Sequence, residues 1–356
     1  MDNLGHGANI SQISKLYNID KNNIIDFSSN INPKVIPGLE KYILEGLKEC
    51  RSYPDINYIN LRNNISHYIG IDPKFIIPGN GATEIIYIIM KCIGERLAIL
   101  NPTFSEYERS AKLNNIEVVD ISLDKEKNFE IDINKIKENI DKFDSIVVCN
   151  PNNPNGKVKN LEDLLDIVVK NNKLLIVDET FIEFVENENE YSLIKYVDKC
   201  ENIFILKAVT KFFGMPGLRL GYGVTSNKKI IEGIYTYKEP WTINSFADTL
   251  SNYIFGDKQY IDDSKQYYIN ERKYMIDELR NIKNLVVYDT DSNFILIKLK
   301  YNSAMELKIK LIKEANILIR DASNFTGLDD SFVRVAIRSH NENEILVKYM
   351  RNLLGE

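Results

Sequence analysis

The segment from Ala208 to Tyr222, AVTKFFGMPGLRLGY, holds residues whose types and spacing suit covalent chemistry. Lys211 follows an apolar run and precedes aromatic residues. A lysine in apolar surroundings loses its proton more readily and becomes a nucleophile. Arg219 lies eight residues later, and a guanidinium can bind a phosphate through two parallel hydrogen bonds. Surface loops often carry a lysine and an arginine at such a spacing, so this segment alone is weak evidence. Together with other motifs, it predicts an amine nucleophile beside a bound anion.

Four short apolar runs in the middle of the chain predict the strands that would position these residues. They are RLAIL (96–100), SIVVC (145–149), KLLIV (173–177) and NIFIL (202–206). Continuous apolar runs of this length are typical of strands buried on both faces. Residues 161–171, LEDLLDIVVKN, have helical apolar spacing with acids in the first turn. This alternation predicts an α/β fold with a mostly parallel sheet covered by helices.

Polar residues follow these strands. Asn153 comes soon after the second run, Asp178 directly follows the third, and Lys211 lies shortly after the fourth. Each of the polar residues taken alone could be a turn residue. In open α/β sheets, however, ligands bind outside the carboxyl ends of the strands, so the series predicts one shared site.

The pattern of charged and apolar residues changes after about residue 255, which predicts a second domain. Residues 257–280 are charged and rich in tyrosine, as expected of a long exposed helix, and short apolar runs follow at 285–289, 293–299, 317–321 and 332–338. We predict an N-terminal arm over 1–45 that joins the small domain, a large domain over 46–255 and a C-terminal small domain over 256–356. The active site is expected in the cleft between them.

Composition narrows the class of partner. The chain has 356 residues, with 45 Lys and Arg against 51 Asp and Glu, which leaves a net charge of −6. Nucleic-acid binding usually requires a basic excess, and no apolar run reaches the roughly 18–20 residues that a membrane span needs. The start of the chain, Met1-Asp2-Asn3, lacks a basic and apolar leader, so we expect a cytoplasmic protein. The three histidines are far apart, and we expect no metal site.

The motifs together resemble those of pyridoxal-phosphate enzymes of the aspartate-aminotransferase fold (fold type I), in the histidinol-phosphate aminotransferase branch. The resemblance covers nearly the whole chain. It implies a large mixed-sheet domain, a smaller α+β domain and pyridoxal 5'-phosphate as cofactor. It implies that Lys211 binds the cofactor covalently, that Asp178 pairs with the pyridine nitrogen and that Asn153 hydrogen-bonds the ring hydroxyl. The other cofactor-binding residues that it implies are Gly81, Ala82 and Thr83 in GNGATE, Phe104 in NPTF, Thr210, Arg219, and Tyr53 in RSYPD from the neighbouring subunit.

Three positions depart from the aminotransferase pattern. Ala208 stands where many relatives have a hydroxyl that touches the phosphate, and Asn155 stands where threonine is usual. Phe181 replaces the tyrosine that aminotransferases of this branch place against the ring hydroxyl. The loss of that phenol removes one hydrogen bond to the cofactor and should alter its electronics.

Several segments are more similar to the threonine-phosphate decarboxylases, which share this fold. They are LGHGANI (4–10), DFSSNINP (26–33), DETF (178–181), PWTIN (240–244) and VRVAIRS (333–339). This resemblance implies substrate contacts from His6, Asn9, Asn32, Asn153, Arg320, Arg334 and Arg338. Arg334 is the strongest of these on physical grounds, because an arginine in an apolar strand pattern needs an anion.

The resemblance therefore implies decarboxylation of L-threonine O-3-phosphate to (R)-1-amino-2-propanol phosphate for cobalamin biosynthesis. The alternative is a histidinol-phosphate aminotransferase or a related aminotransferase. A third interpretation, a non-catalytic cofactor-binding regulator, fits less well, because such proteins usually add a basic DNA-binding segment that we do not find before residue 26. If Tyr53 reaches the cofactor of the neighbouring subunit, the protein is a homodimer. In either enzyme interpretation, we expect the substrate to be a small phosphorylated amino acid.

Overall fold

The computed structural model describes residue 7 and residues 9–355. The described strands are β1 (Ile25–Asp26), β2 (Ile76–Asn80), β3 (Arg96–Ile99), β4 (Glu117–Asp120), β5 (Ser145–Cys149), β6 (Leu174–Asp178), β7 (Ile203–Ala208), β8 (Leu220–Val224), β9 (Leu285–Val287), β10 (Phe294–Leu299), β11 (Ile317–Leu318), β12 (Arg320–Asp321) and β13 (Phe332–Ala336). The described α-helices are α1 (Ile10–Tyr17), α2 (Leu39–Glu49), α3 (Ile59–Ile69), α4 (Gly81–Ile89), α5 (Glu106–Leu113), α6 (Ile133–Lys137), α7 (Glu162–Lys170), α8 (Lys228–Tyr237), α9 (Ser245–Ile254), α10 (Lys258–Arg280), α11 (Ala304–Ala315) and α12 (His340–Leu354).

The main sheet of the described residues is mixed, with strand order β2-β8-β7-β6-β5-β3-β4. The strands from β7 to β4 pair in parallel, whereas β8 runs antiparallel to both β7 and β2. The four apolar runs form β3, β5, β6 and β7, and the predicted helix between them forms α7. The predicted α/β class is confirmed.

Both faces of this sheet are covered, because alternate residues of the central strands enter two different cores. Ile146, Leu175 and Ile205 pack into one apolar cluster. Their neighbours Val147 and Ile176 pack into another, together with residues of α4 and α5. By the period of two along a strand, Asp178 at the end of β6 lies on the second face.

The C-terminal part of the chain forms a smaller antiparallel sheet of order β12-β13-β10-β9. The N-terminal segment joins this part, because β1 pairs in parallel with β11, with Ile25 opposite Ile317. The predicted strand at 317–321 is two short strands, since β11 pairs with β1 whereas β12 pairs with β13. The pairing of β1 places the start of the described chain beside the small sheet, and the domain boundaries at about residues 45 and 255 stay a prediction.

The helices of the small part are amphipathic and bury one face each. The longest described helix, α10, has 23 residues and buries Tyr260, Tyr268, Met275 and Leu279. Its remaining face is charged, as the sequence predicts. No described helix combines the length and the apolar character that crossing a lipid bilayer requires.

Candidate active site

A cavity of about 420 Å³ lies at the carboxyl ends of β5, β6 and β7. The segment Ser28–Ile31 and residues of β12 and β13 close it from the side of the small sheet. Its lining includes Ala82, Thr83, Phe104, Asn153, Asp178, Thr210, Lys211, Arg219, Arg320 and Arg334. The structure therefore brings most of the predicted site residues together in one cavity between the two sheets.

Lys211 lies in the wall of this cavity, in the loop that follows β7. Loss of hydration lowers the pKa of its amine to about 8, and the positive charges of Arg334 and Arg219 act in the same direction. The negative charges of Asp178 and Asp26 oppose the shift. The amine is thus neutral far more often than an ordinary lysine, which makes it a nucleophile and a proton carrier near neutral pH.

Asp178 is a buried carboxylate, 4% exposed, at the end of β6. Its Oδ2 accepts a hydrogen bond of 2.5 Å from the Tyr107 hydroxyl, and its Oδ1 accepts one of 2.9 Å from the Thr180 backbone N–H. Burial raises the pKa of Asp178, whereas the contacts with Thr180 and Tyr107 and the charge of Lys211 lower it. The site can therefore hold an anionic carboxylate that is ready to accept a further N–H.

The start of α4 forms a cradle for an anion. Gly81 is the first residue of the helix and has φ +75°, and a Cβ built there would lie 2.3 Å from Nη2 of Arg219. Gly221 on β8 is equally close, because its Cβ would lie 2.3 Å from the backbone nitrogen of Ala82. Backbone N–H groups at a helix start and a guanidinium above them suit a phosphate.

Two further arginines carry positive charge into the cavity from the small sheet. Arg334 on β13 is 6% exposed and donates hydrogen bonds to Oδ1 of Asn153 and to the backbone carbonyl of Ser28. Burial and the charge of Arg320 lower the pKa of Arg334 to about 9, and burial lowers the pKa of Arg320 to about 10. A bound anion would relieve this excess of buried positive charge.

Comparison with known proteins identifies the family. The family "Aminotransferase class I and II" matches residues 17–350, which is nearly the whole chain. The chain belongs to the class I and II aminotransferase family. Its cofactor is pyridoxal 5'-phosphate.

The most informative members of the family carry two different names. A protein of Caldanaerobacter subterraneus, provisionally named a threonine-phosphate decarboxylase, is 41% identical over 92% of this chain and 90% of its own length. The histidinol-phosphate aminotransferase of Clostridium acetobutylicum is 38% identical, with a TM-score of 0.88 over 93% of this chain and 99% of that structure. The L-threonine-O-3-phosphate decarboxylase of Porphyromonas gingivalis is 26% identical, with a TM-score of 0.84 over 93% and 99%.

The cavity of this family member fits the cofactor by the chemistry of its donors. Arg219 and the start of α4 would hold the phosphate, and Asp178 would hold the protonated pyridine nitrogen. Phe104 lines the cavity, where its ring can cover the pyridine face. Thr210 lines it beside Ala208, which itself offers no hydroxyl. Among residues 7 and 9–355, no group of three or more His, Cys, Asp or Glu could hold a metal ion.

Two predicted substrate residues, Asn32 and Arg338, are not part of the cavity lining. Asn32 donates from Nδ2 to the carbonyl of Phe212, at 2.9 Å, and to Oγ of Ser264, at 3.1 Å. Arg338 donates to the backbone carbonyl of Asp26 and to Oε1 of Glu342, both at 2.9 Å. Both side chains make these contacts within the protein, and their contact with the substrate stays a prediction.

Three further predicted site residues that the structure describes are absent from the cavity lining: Asn9, Gly81 and Tyr53. Asn9 is the residue before α1, without a capping hydrogen bond from its side chain, and Gly81 lies against the guanidinium of Arg219. Tyr53 is 82% exposed and packs against Trp241, with ring centroids 5.0 Å apart. His6 lies outside the described residues.

The structure also places residues in the lining that sequence reasoning missed. Asn30 is 2% exposed, lines the cavity and leaves its Oδ1 without a hydrogen-bond partner in the described residues. Asn324 and Phe325 line the cavity beside Arg320, and Tyr107 lies beneath Asp178. The motif DFSSNINP contains both Asn30 and Asn32, but a loop has no fixed period that would tell which of the two faces the ligand.

Proposed function

We propose that this protein decarboxylates L-threonine O-3-phosphate to (R)-1-amino-2-propanol phosphate, a precursor for cobalamin biosynthesis. The observation that carries the proposal is the side chain at position 181. Phe181 is 5% exposed and lines the cavity, with its ring against Phe294 at 5.0 Å. An aminotransferase of the histidinol-phosphate branch resembles this chain elsewhere but is expected to offer a phenol there. The 41% identical relative supports the same assignment.

The reaction replaces the carboxylate on the α carbon of the substrate by a proton. Pyridoxal phosphate, when bound, accepts the electron pair of the bond that breaks there. The bond to the carboxylate breaks, carbon dioxide leaves, and a proton takes its place. Lys211 can deliver this proton from Nζ, because its pKa of about 8 lies close to neutral pH. Asp178, as a buried anion, keeps the proton on the pyridine nitrogen.

The substrate is a small molecule with a phosphate and a carboxylate. Arg334 and Arg320 offer two guanidinium groups to these anions from one wall of the cavity. Asn30 lies in the same lining, where its free Oδ1 can accept a hydrogen bond from an amine or hydroxyl of the ligand. We propose that these three residues position the substrate, with His6 and Asn9 added from the N-terminal segment.

The second candidate is histidinol-phosphate aminotransferase activity. The 38% identical structure from Clostridium acetobutylicum, with its TM-score of 0.88, favours it. Its substrates also carry a phosphate or carboxylates, so the arginines suit both candidates. The difference lies in which bond of the α carbon breaks, and a product assay separates the two.

The experiment incubates the purified holoenzyme with threonine phosphate and no keto acid. We expect carbon dioxide and aminopropanol phosphate in equal amounts, and Lys211→Ala to abolish both. If turnover instead requires 2-oxoglutarate and releases glutamate, the protein is an aminotransferase and the proposal is wrong.

A further inference from the structure

Tyr107 is a buried tyrosine on α5 that the reaction described above does not use. It is 1% exposed and donates its hydroxyl hydrogen to Oδ2 of Asp178 at 2.5 Å. This contact joins α5 to the end of β6, two elements far apart in the sequence. Cys149, at the end of β5, also lies against Tyr107 and Asp178.

The two donors to Asp178 differ in origin. Thr180 donates from its backbone two residues along the chain, so that contact is set by the local turn. Tyr107 comes from the helix that follows Phe104, and the two rings meet edge to face with centroids 5.6 Å apart. The aromatic residue in the cavity wall and the donor to the carboxylate are therefore in direct contact.

The hydroxyl of Tyr107 stays protonated and therefore remains a hydrogen-bond donor to Asp178. Burial, followed by the negative charge of Asp178, raises the pKa of Tyr107 well above its ordinary value. The hydroxyl thus keeps its hydrogen at neutral pH. A hydrogen bond to a carboxylate stabilises the ionised form and makes it a weaker base. The titratable groups against Asp178 are Tyr107 from α5, Cys149 from β5 and Lys211 from the loop after β7.

We propose that Tyr107 is a positioning residue that keeps Asp178 ionised and oriented, so that the pyridine nitrogen of the cofactor retains its proton. The proton between Asp178 and the pyridine nitrogen belongs to the weaker acid of the pair. Without the phenol, the carboxylate becomes more basic and takes a larger share of that proton. This inference rests on the cofactor and not on the substrate, so it holds for a decarboxylase and for an aminotransferase.

The test uses holoenzyme loaded with pyridoxal phosphate that carries an isotopic label at its pyridine nitrogen. Nitrogen NMR reports the protonation of that atom without any substrate. In Tyr107→Phe we expect the ratio of protonated to neutral pyridine to fall roughly tenfold or more, as for the loss of a hydrogen bond to a charged group. Tyr268→Phe is the matched control, because Tyr268 is equally buried but does not line the cavity. It should leave the signal unchanged.

A second variant changes the donor in the opposite direction. Fluorotyrosine at position 107 is more acidic than tyrosine and donates a stronger hydrogen bond, so the pyridine should become more protonated than in the wild type. A merely structural role would move the signal the same way in both variants, or not at all. An unchanged nitrogen signal in Tyr107→Phe would overturn the inference. A wild type that shows this signal but does not decarboxylate threonine phosphate would contradict the proposed function alone.

Discussion

Lys211 and Lys207 are two buried lysines, four residues apart, with opposite electrostatic surroundings. Lys207 Nζ lies 3.0 Å from Oε1 of Glu183 and 3.7 Å from Oε2 of Glu179, on the far side of the sheet. Lys211 has no ion pair among the residues that the structure describes and faces two arginines. Burial opposes the charge of both amines. The negative partners nevertheless raise the pKa of Lys207 above its ordinary value, whereas the pKa of Lys211 falls to about 8.

We expect Lys211→Met to stabilise the cofactor-free protein at neutral pH. Below pH 8 the amine is charged in both states, and the gap between 10.5 unfolded and about 8 folded costs on the order of 3 kcal/mol. Between pH 8 and 10.5 the unfolded chain binds a proton that the folded protein lacks, so wild-type stability rises with pH and the advantage of the variant shrinks. Urea unfolding at pH 7 and pH 10 measures this.

Lys207→Met is the control for that experiment. Its removal leaves Glu179 and Glu183 as uncompensated buried carboxylates, which should destabilise the protein by about 3–5 kcal/mol. Equal destabilisation by both substitutions would show that the amine of Lys211 carries no electrostatic cost.

Phe181→Tyr would add a phenol to the cavity wall at the place where aminotransferases of the related branch have one. A hydroxyl that donates to the ring oxygen of the cofactor stabilises the ionised oxygen. The pH at which the absorbance of the bound cofactor changes should therefore fall by just under one unit, for a net hydrogen bond of about 1 kcal/mol. A spectrophotometric pH titration of both holoenzymes measures the shift, and coincident titration curves would contradict the prediction.

At the scale of elements, strand period explains what could be predicted from the sequence. The apolar runs fix β5, β6 and β7, and the parallel arrangement puts Asn153, Asp178 and Lys211 at one edge of the sheet. The partner of Asp178 could not be predicted in this way. Tyr107 meets it only because α5 packs on the face of the sheet that carries Asp178, and the docking of a helix depends on packing that a local pattern does not encode.

The close contact between β8 and α4 shapes the predicted phosphate-binding site. A methyl group at Gly221 would lie 2.3 Å from the backbone nitrogen of Ala82 and 2.8 Å from the carbonyl carbon of Gly81. Both atoms belong to the backbone at the helix start, so the helix must move to accept a side chain. The glycine is required by this close approach and not by its backbone angles.

Gly221→Ala should therefore lower both stability and cofactor affinity. We expect a loss of about 1–3 kcal/mol in the free energy of unfolding, and weaker binding because the N–H groups that hold the phosphate are displaced. Denaturant unfolding and titration of the apoprotein with pyridoxal phosphate measure the two effects. Gly217→Ala is the control, because a Cβ at Gly217 meets no atom within 4 Å. Comparable losses in both variants would contradict the steric explanation.

At the scale of the whole molecule, several large apolar side chains of the described residues are exposed in neighbouring parts of the chain. Seven of these lie on α2, between α2 and α3, at the start of α3 and in the loop before α9, where Trp241 contacts Tyr53. They are Ile43, Leu44, Leu47, Tyr53, Ile56, Ile59 and Trp241. Exposed apolar side chains that lie close together commonly mark an interface between proteins. We propose that a second copy of the chain covers this surface and that Tyr53 enters the partner's cavity.

This arrangement predicts that two inactive variants complement each other when they form a mixed dimer. Lys211→Ala and Tyr53→Ala should each be nearly inactive as pure dimers, because every site lacks one of the two residues. In a mixed dimer, one site receives Lys211 from one chain and Tyr53 from the other, so random mixing should restore about a quarter of wild-type activity. Tyr301→Ala is the control, since Tyr301 is 83% exposed outside this surface and should keep full activity. If Tyr53 served its own chain, no mixed dimer would contain a complete site, and the mixture would stay as inactive as its components.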